Sequence, residues 1–463
     1  LKTAVGAAGV FAAGLLSLLL LDWTAPALPT GEVSENWRWL FEFTRNYRMD
    51  STVATLCAAI AVFTLLGLLF LDRYFATHPA RSEMLALTVF VASGMMVLVS
   101  AQSFILVFLG IELMSLPTYV LVGMKRRDKA STEAALKYYL FGSLATVLLV
   151  FGIALLYAQT GTMRLDGTAA FAERLALEGI GQSPLFVGGM LLVLIATAFK
   201  VGAAPFHMWV PDAYQGAPTP VTGFMGSAVK LAGFALAARL FWSAFLPIAN
   251  AWAPTLAWLA VLTMFVGNAA ALAQNDLKRL FAYSSISHAG FLLLAVTAVT
   301  GGEQPMIQPG AMSHLFYYLV VYGLMFLGLF GAIALVEDGK GSTDVAALSG
   351  LGFQRPALGL ALTVFAVSGA GLPPTAGFFA KYFIFLDVVA SGRTALVVLA
   401  LLASLLGVYY YLRVVVYLYM REPASGPLPA KAGWSVGTAI GLCAVALIYF
   451  AMRPEALAFA VKP

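Results

Sequence analysis

Apolar runs of the ~20 residues that a helix needs to cross a bilayer recur from one end of this chain to the other, separated by short polar stretches. About thirteen can be drawn, near 3–21, 52–72, 84–101, 103–123, 131–158, 184–216, 218–247, 252–274, 279–300, 310–336, 356–391, 395–420 and 433–452. Nowhere does polarity alternate at every second residue, as it would along barrel strands. The pattern therefore predicts an all-α polytopic membrane protein. The first run lacks a cleavage pattern and is followed by many more spans, so it reads as a retained helix rather than a signal peptide. The chain opens on Leu1 rather than Met, which predicts one earlier span ahead of it.

Two runs are interrupted. The charge-free "LFVGGMLLVLIATAF" (Leu185 to Phe199) leads into Lys200, and Gly202, Pro205, His207 and Pro211 follow within a few residues. In "VSGAGLPPTAGFFAKYFIF" (Val367 to Phe385), Gly371, Pro373, Pro374 and Gly377 break the run and Lys381 comes just after. Glycine admits backbone angles that end a helix, and proline removes a helical donor. Each interrupted segment is the fourth of five runs, over 84–247 and 252–420. An odd number of crossings reverses direction, so the two five-helix units are expected to be inverted relative to one another. The expected division is N-terminal helices over 1–82, a first repeat over 83–250, a second over 251–420, and a loop with the last helix over 421–463. Little residue identity links the halves, and the two lysines lie on opposite sides of their breaks. Paired Gly/Pro interruptions at corresponding places point to an ion pathway of the inverted-repeat kind.

Composition agrees: 61% of residues are hydrophobic and 11% charged, against roughly 45–50% and about 25% in soluble domains. The basic residues Arg73, Arg81, the cluster "KRRDK" (Lys125 to Lys129), Lys278, Arg279, Lys340, Arg355, Arg421 and Lys431 fall on one set of alternate connections. By the positive-inside bias that side is cytoplasmic. The net charge of +5 then reports topology and gives no sign of nucleic-acid binding. Cys57 and Cys443 lie far apart inside apolar runs, which supplies no disulfide framework, zinc site or iron–sulfur ligand set.

Charges inside the spans carry the chemistry. Glu112, in "FLGIELMSLPTYV", falls near mid-membrane, where a carboxylate costs roughly 2.5–3.5 kcal/mol on insertion scales. It serves either as polar glue between helices or as a functional group. Lys200, Lys230 and Lys381 sit deep in their spans, too far from most helix ends to snorkel. Lys137 lies about two turns in, where a plain interfacial lysine is equally reasonable. His288, in "LKRLFAYSSISHAGF", is either a proton carrier or a histidine bonded to Ser284 or Ser285. His207 and His314 read as structural, and Arg239 and Arg413 as end-of-helix anchors. Desolvation favours the neutral amine, so buried lysines can take up and release protons near physiological pH. Two charges ~10 Å apart at an effective dielectric of ~20 interact by about 1.7 kcal/mol, enough to couple neighbouring sites. Helix breaks beside such lysines free backbone groups and admit water.

The segments "GIELMSLPTYVLVG", "EAALKYYLFGSLATVLLVFG", "FKVGAAPFHMWVPDAYQGAPTPV", "NDLKRLFAYSSISHAGF" and "GLPPTAGFFAKYFIF" resemble the antiporter-like membrane subunits of respiratory complex I, over about residues 84–420. Tyr214, Gln215 and Gly216 set the chain apart from two of the sister subunits, which usually carry His-Thr-Glu there. The resemblance implies fourteen helices with both termini periplasmic, in a bacterial inner membrane. It matches Glu112, Lys137, Lys200, Lys230, His288 and Lys381 to the groups of a hydrated midplane axis that translocates protons, driven by quinone reduction elsewhere in the complex. It also implies no cofactor on this chain. NADH, FMN, iron–sulfur clusters and quinone would belong to other subunits, and the partners would be other membrane-arm subunits, sister antiporter-like subunits and lipids. The absence of a Gly-rich strand–helix turn and of a cysteine cluster agrees with that. Two alternatives stand beside it: a subunit of a multi-subunit cation/proton antiporter or membrane-bound hydrogenase, and a scaffold whose charges only join helices.

Overall fold

The computed structural model describes residues 46–48, 50–179, 183–302, 304–423 and 428–457. The run expected at 3–21 lies outside them. The remaining runs are helical: α1 Ser51–Tyr74, α2 Arg81–Ser100, α3 Phe104–Val122, α4 Lys129–Thr160, α5 Leu165–Glu178, α6 Pro184–Val201 and α7 Trp209–Gly216. Then come α8 Thr219–Ala244, α9 Ala249–Leu272, α10 Leu277–Val296, α11 Ala311–Lys340, α12 Pro356–Ala370, α13 Ala376–Ala390, α14 Thr394–Met420 and α15 Trp434–Met452. Among the described residues 11 helices are long and apolar enough to cross a membrane. The second interrupted segment, α12 with α13, adds one more crossing.

Local chemistry sets the helix starts. The side chains of Asp50, Ser103, Asp128, Ser183, Asp276 and Thr375 each accept a hydrogen bond from a backbone N–H in the first turn that follows, satisfying donors that a helix end leaves open. The connection over 159–183 contains α5. This helix buries Leu165, Thr168, Ala172 and Leu175 against the end of α8. Its other face is too polar for a span, which is why run counting passes over it.

The two repeats show themselves in a shared backbone bridge. Ser103, which caps α3, pairs antiparallel with Arg164 just past α4, and Asp276, which caps α10, pairs with Asp344 just past α11. The amide of Phe104 donates to the Met163 carbonyl (2.9 Å) and that of Leu277 to the Thr343 carbonyl (2.7 Å). Five crossings separate the two positions, so the same bridge recurs at opposite ends of the bundle. The repeats are inverted.

At the centre lies α11, whose membrane-length window is entirely buried. Gly323, Gly328 and Gly331 give this helix its close neighbours: a Cβ at each would fall 2.4–2.7 Å from a ring atom of Phe63, Phe365 or Phe70. On the periphery, α4 leaves Leu136, Leu140, Leu144, Val147 and Phe151 exposed, an apolar face suited to lipid or to another membrane protein.

Candidate functional site

Both breaks open in the same way. α6 and α12 end on Gly202 and Gly371, each at φ 75°, in the left-handed region that glycine enters without steric cost. The amide of Ala203 returns to the Ala198 carbonyl (2.8 Å) and that of Gly202 to Phe199 (3.0 Å). The Trp209 indole N–H also donates to the Phe199 carbonyl, at 3.1 Å, and the amide of Ala204 finds Thr263 Oγ1 of α9 at 3.0 Å. Backbone groups freed inside a membrane are thus satisfied by protein. Pro205 lies within this break. Pro211 falls in the first turn of α7, where its missing N–H removes no helical bond. In the second break, which holds Pro373 and Pro374, Lys381 reaches back from α13 and donates to the Ala370 carbonyl at 3.0 Å and to Ser404 Oγ at 2.9 Å. A cation beside the last carbonyls of α12 also suits that helix dipole.

The other interior charges form a sequence of contacts. Glu112 on α3 accepts from Thr146 Oγ1 of α4 at 2.7 Å. One turn on, Ser115 Oγ accepts from Lys200 Nζ at 2.7 Å. Thr146, Ser115 and Lys200 share a cavity of about 20 Å³. Lys230 follows a π-helical turn, Met225–Val229, a distortion often found at functional positions. Its Nζ donates to the Ser285 carbonyl and, at 2.6 Å, to Ser285 Oγ, and lies 5.2 Å from the centre of the Tyr322 ring. His288 is held between Tyr318 Oη (2.8 Å) and Tyr411 Oη (3.2 Å). The alternative of a bond to Ser284 or Ser285 is not realised, because Ser285 is engaged by Lys230 and Ser284 by Tyr411 Oη at 2.6 Å. Lys381 Nζ lies 5.0 Å from the Phe291 ring centre. Ser285, His288 and Phe291 follow one another at three-residue spacing along α10, so this helix carries Lys230, His288 and Lys381 side by side.

Lys137 stands apart from that row. It bonds Glu133 (2.6 Å) and Asp212 (2.9 Å), and Asp212 also holds Arg279 at 2.9 Å. Its side chain is 41% exposed, as suits an interfacial lysine. His207 sits in the first break with no partner for Nδ1 among the described residues. Arg239 and Arg413 donate to the carbonyls of Ala101 and Gln274, tying helix ends together as expected.

Sequence reading missed several groups. Lys278, taken above as a loop cation, is in fact only 4% exposed. It caps the carbonyl of Ala217, just past α7, at 2.6 Å. Nearby Glu337 accepts from Tyr74 Oη (3.0 Å), Lys125 Nζ (3.3 Å) and Thr219 Oγ1. Burial works against the Lys125 ammonium, but Tyr74 and Glu337 outweigh it and hold its pKa above the ordinary lysine value. Asp387, buried in α13, lies 2.8 Å from His314 Nδ1. Among the described residues no three His, Cys, Asp or Glu side chains gather where they could hold a metal, and Cys57 and Cys443 are free thiols.

Inverted five-helix repeats, each with a broken helix and an interior lysine beside the break, define an antiporter-like membrane subunit. The family model described as NADH:quinone oxidoreductase/Mrp antiporter, TM, matches residues 101–407, and the chain belongs to this family. NADH-quinone oxidoreductase subunit N of Salinibacter ruber is 44% identical over 378 residues, covering 79% of this chain and 73% of that protein. A chain of respiratory complex I from Thermus thermophilus superposes with a TM-score of 0.79 at 31% identity, covering 99% of this chain and 93% of its own. A chain of the Mrp complex from Dietzia shares the fold, with a TM-score of 0.82 at 19% identity over 99% of this chain and 91% of that one.

Proposed function

We propose that this chain is the N-type antiporter-like subunit in the membrane arm of a bacterial NADH:quinone oxidoreductase, where it passes protons between Glu112, Lys200, Lys230, His288 and Lys381. One observation carries the reading. Lys200, Lys230 and Lys381 have hydroxyls and backbone carbonyls as partners, and among the described residues none of them has a carboxylate within ion-pair distance. An unpaired ammonium in a bilayer interior is costly, which leaves each lysine able to exist without its proton. Lys137, with Asp212 and Arg279 at the basic end of the bundle, stands at the mouth of this path and outside the interior row. The breaks at Gly202, Pro205, Gly371, Pro373 and Pro374, with Pro211 shaping the first turn of α7, give the lysines access to water. The chain divides functionally at 82, 250 and 420, and its basic face is cytoplasmic with the C-terminus periplasmic. Redox cofactors and quinone reside on other subunits, sister antiporter-like subunits and lipids flank it, and energy arrives by contact.

Relatives named subunit N favour this reading over a cation/proton antiporter, whose likeness here is one of fold. The test is Lys230→Ala and Glu112→Ala in the assembled complex. Quinone-reductase turnover and proton pumping should fall together while assembly survives. Wild-type turnover and pumping in both variants would return these charges to a scaffolding role.

A further inference from the structure

Between Lys200 and Lys230 lies a cavity of about 10 Å³ lined by Tyr138, Lys200, Trp209, Tyr214, Lys230 and Ser285. That volume is on the scale of a single water. Tyr138 is 1% exposed, and its hydroxyl has no hydrogen-bond partner among the described residues. A buried hydroxyl left unpaired carries an uncompensated desolvation penalty, so its position calls for a functional account. The ring itself is fixed. It stacks on Trp209 with centroids 4.4 Å apart and planes at 10°, and meets Tyr119 edge-on at 4.6 Å. Trp209 is in turn tied across the first break by its bond to the Phe199 carbonyl. With the ring clamped, the hydroxyl hydrogen keeps its rotation about the C–O bond.

We propose that Tyr138 and one water bound in this cavity form the proton link between Lys200 and Lys230. The proposal rests on the reading that these lysines exchange protons. The Lys200 ammonium gives its proton to the water oxygen as the water passes one of its own to Tyr138 Oη, and neutral Lys230, its flexible side chain swung from Ser285 toward the tyrosine, takes the proton of the tyrosine O–H. Lys200 ends neutral and Lys230 ends as the ammonium. Tyrosine and water are unchanged except in orientation, and turning both back resets the link. A tyrosine hydroxyl donates and accepts at once, so no phenolate has to persist.

The experiment compares Tyr138→Phe with Lys230→Ala and with Tyr139→Phe, a substitution at the neighbouring 47% exposed ring, in the assembled complex. Tyr138→Phe keeps the stacked ring and removes only the oxygen. Its turnover-linked pumping should drop about a hundredfold, the low end of what a positioned proton-transfer group contributes. Tyr139→Phe should behave as wild type. Full pumping in Tyr138→Phe while Lys230→Ala is impaired overturns the link and leaves the lysine axis standing; full pumping in both overturns the axis itself. If the Phe variant does not assemble, a high-resolution map of the unmodified complex decides: density for a water within hydrogen-bond distance of Tyr138 Oη supports the link, and a dry cavity sinks it.

Discussion

Replacing Lys381 separates a group that must change charge from one that merely supplies it. Its Nζ holds the Ala370 carbonyl at 3.0 Å and Ser404 Oγ at 2.9 Å, over Phe291 at 5.0 Å, with no carboxylate partner among the described residues. Lys381→Met leaves the Ala370 carbonyl unbonded, at about 1–3 kcal/mol. It also relieves the larger penalty of an unpaired buried cation, so the complex should still assemble. Function should not survive. Moving one proton against ~150 mV takes about 3.5 kcal/mol, and a site that takes part must alternate between charge states. Met cannot, and Arg cannot release its proton in a protein. Arg is further hampered by space, because Lys381 Nζ already lies 2.9 Å from where a Cβ on Gly371 would be. Glu can titrate: protonated, it donates to the Ala370 carbonyl, and ionised, it accepts from Ser404. The expected order of proton pumping in NADH-energised inverted vesicles, with quinone-reductase turnover read on the same membranes, is wild type, then Glu with a measurable part, then Arg and Met near the floor. Full rescue by Arg with a dead Glu variant would make Lys381 a fixed positive charge, and its role as carrier would have to be abandoned.

Glu337→Gln removes the carboxylate shared by Lys125, Tyr74 and Thr219. Because the Lys125 and Glu337 side chains are 29% and 21% exposed, the loss should be moderate, about 1–2 kcal/mol, read as a lower thermal midpoint of the complex; an unchanged midpoint would mean that the cluster is incidental. For orientation, a single cysteine at Arg126 should react with an impermeant thiol reagent only from the cytoplasmic side and one at Gln304 only from the periplasmic side. The opposite pattern would invert the charge-based topology.

Spans and breaks were legible in the sequence because lipid writes them in a local code. The run expected at 184–216 resolves into Pro184–Val201 and Trp209–Gly216, interrupted at the Gly/Pro cluster that marked it. Lys200, Lys230 and Lys381 could be named because an interior cation is rare wherever it stands. What could not be read is partnership. His288 is held by Tyr318 and Tyr411, residues 30 and 123 positions away, and no periodicity reports which helices will meet. Lys278, Glu337 and Asp387 were passed over for a related reason. Each lies near a helix end, where charge is ordinary, and only the convergence of several ends buries it. Helix α5 was lost to the opposite bias, since its polar face kept it below the hydropathy of a span.

The burial of α11 has a consequence for how the molecule is made. A helix this apolar enters the bilayer readily on its own, yet in the finished fold protein, not lipid, surrounds its membrane-length window. Acyl chains must therefore be stripped from it as α12, α13 and α15, synthesised later, close around it, with Phe365 settling against Gly328. Until then the second repeat has no wall behind its broken helix. These later helices work as a closing door on a bundle already half built, and a chain truncated before them would leave α11 facing lipid on the side that Phe365 should cover.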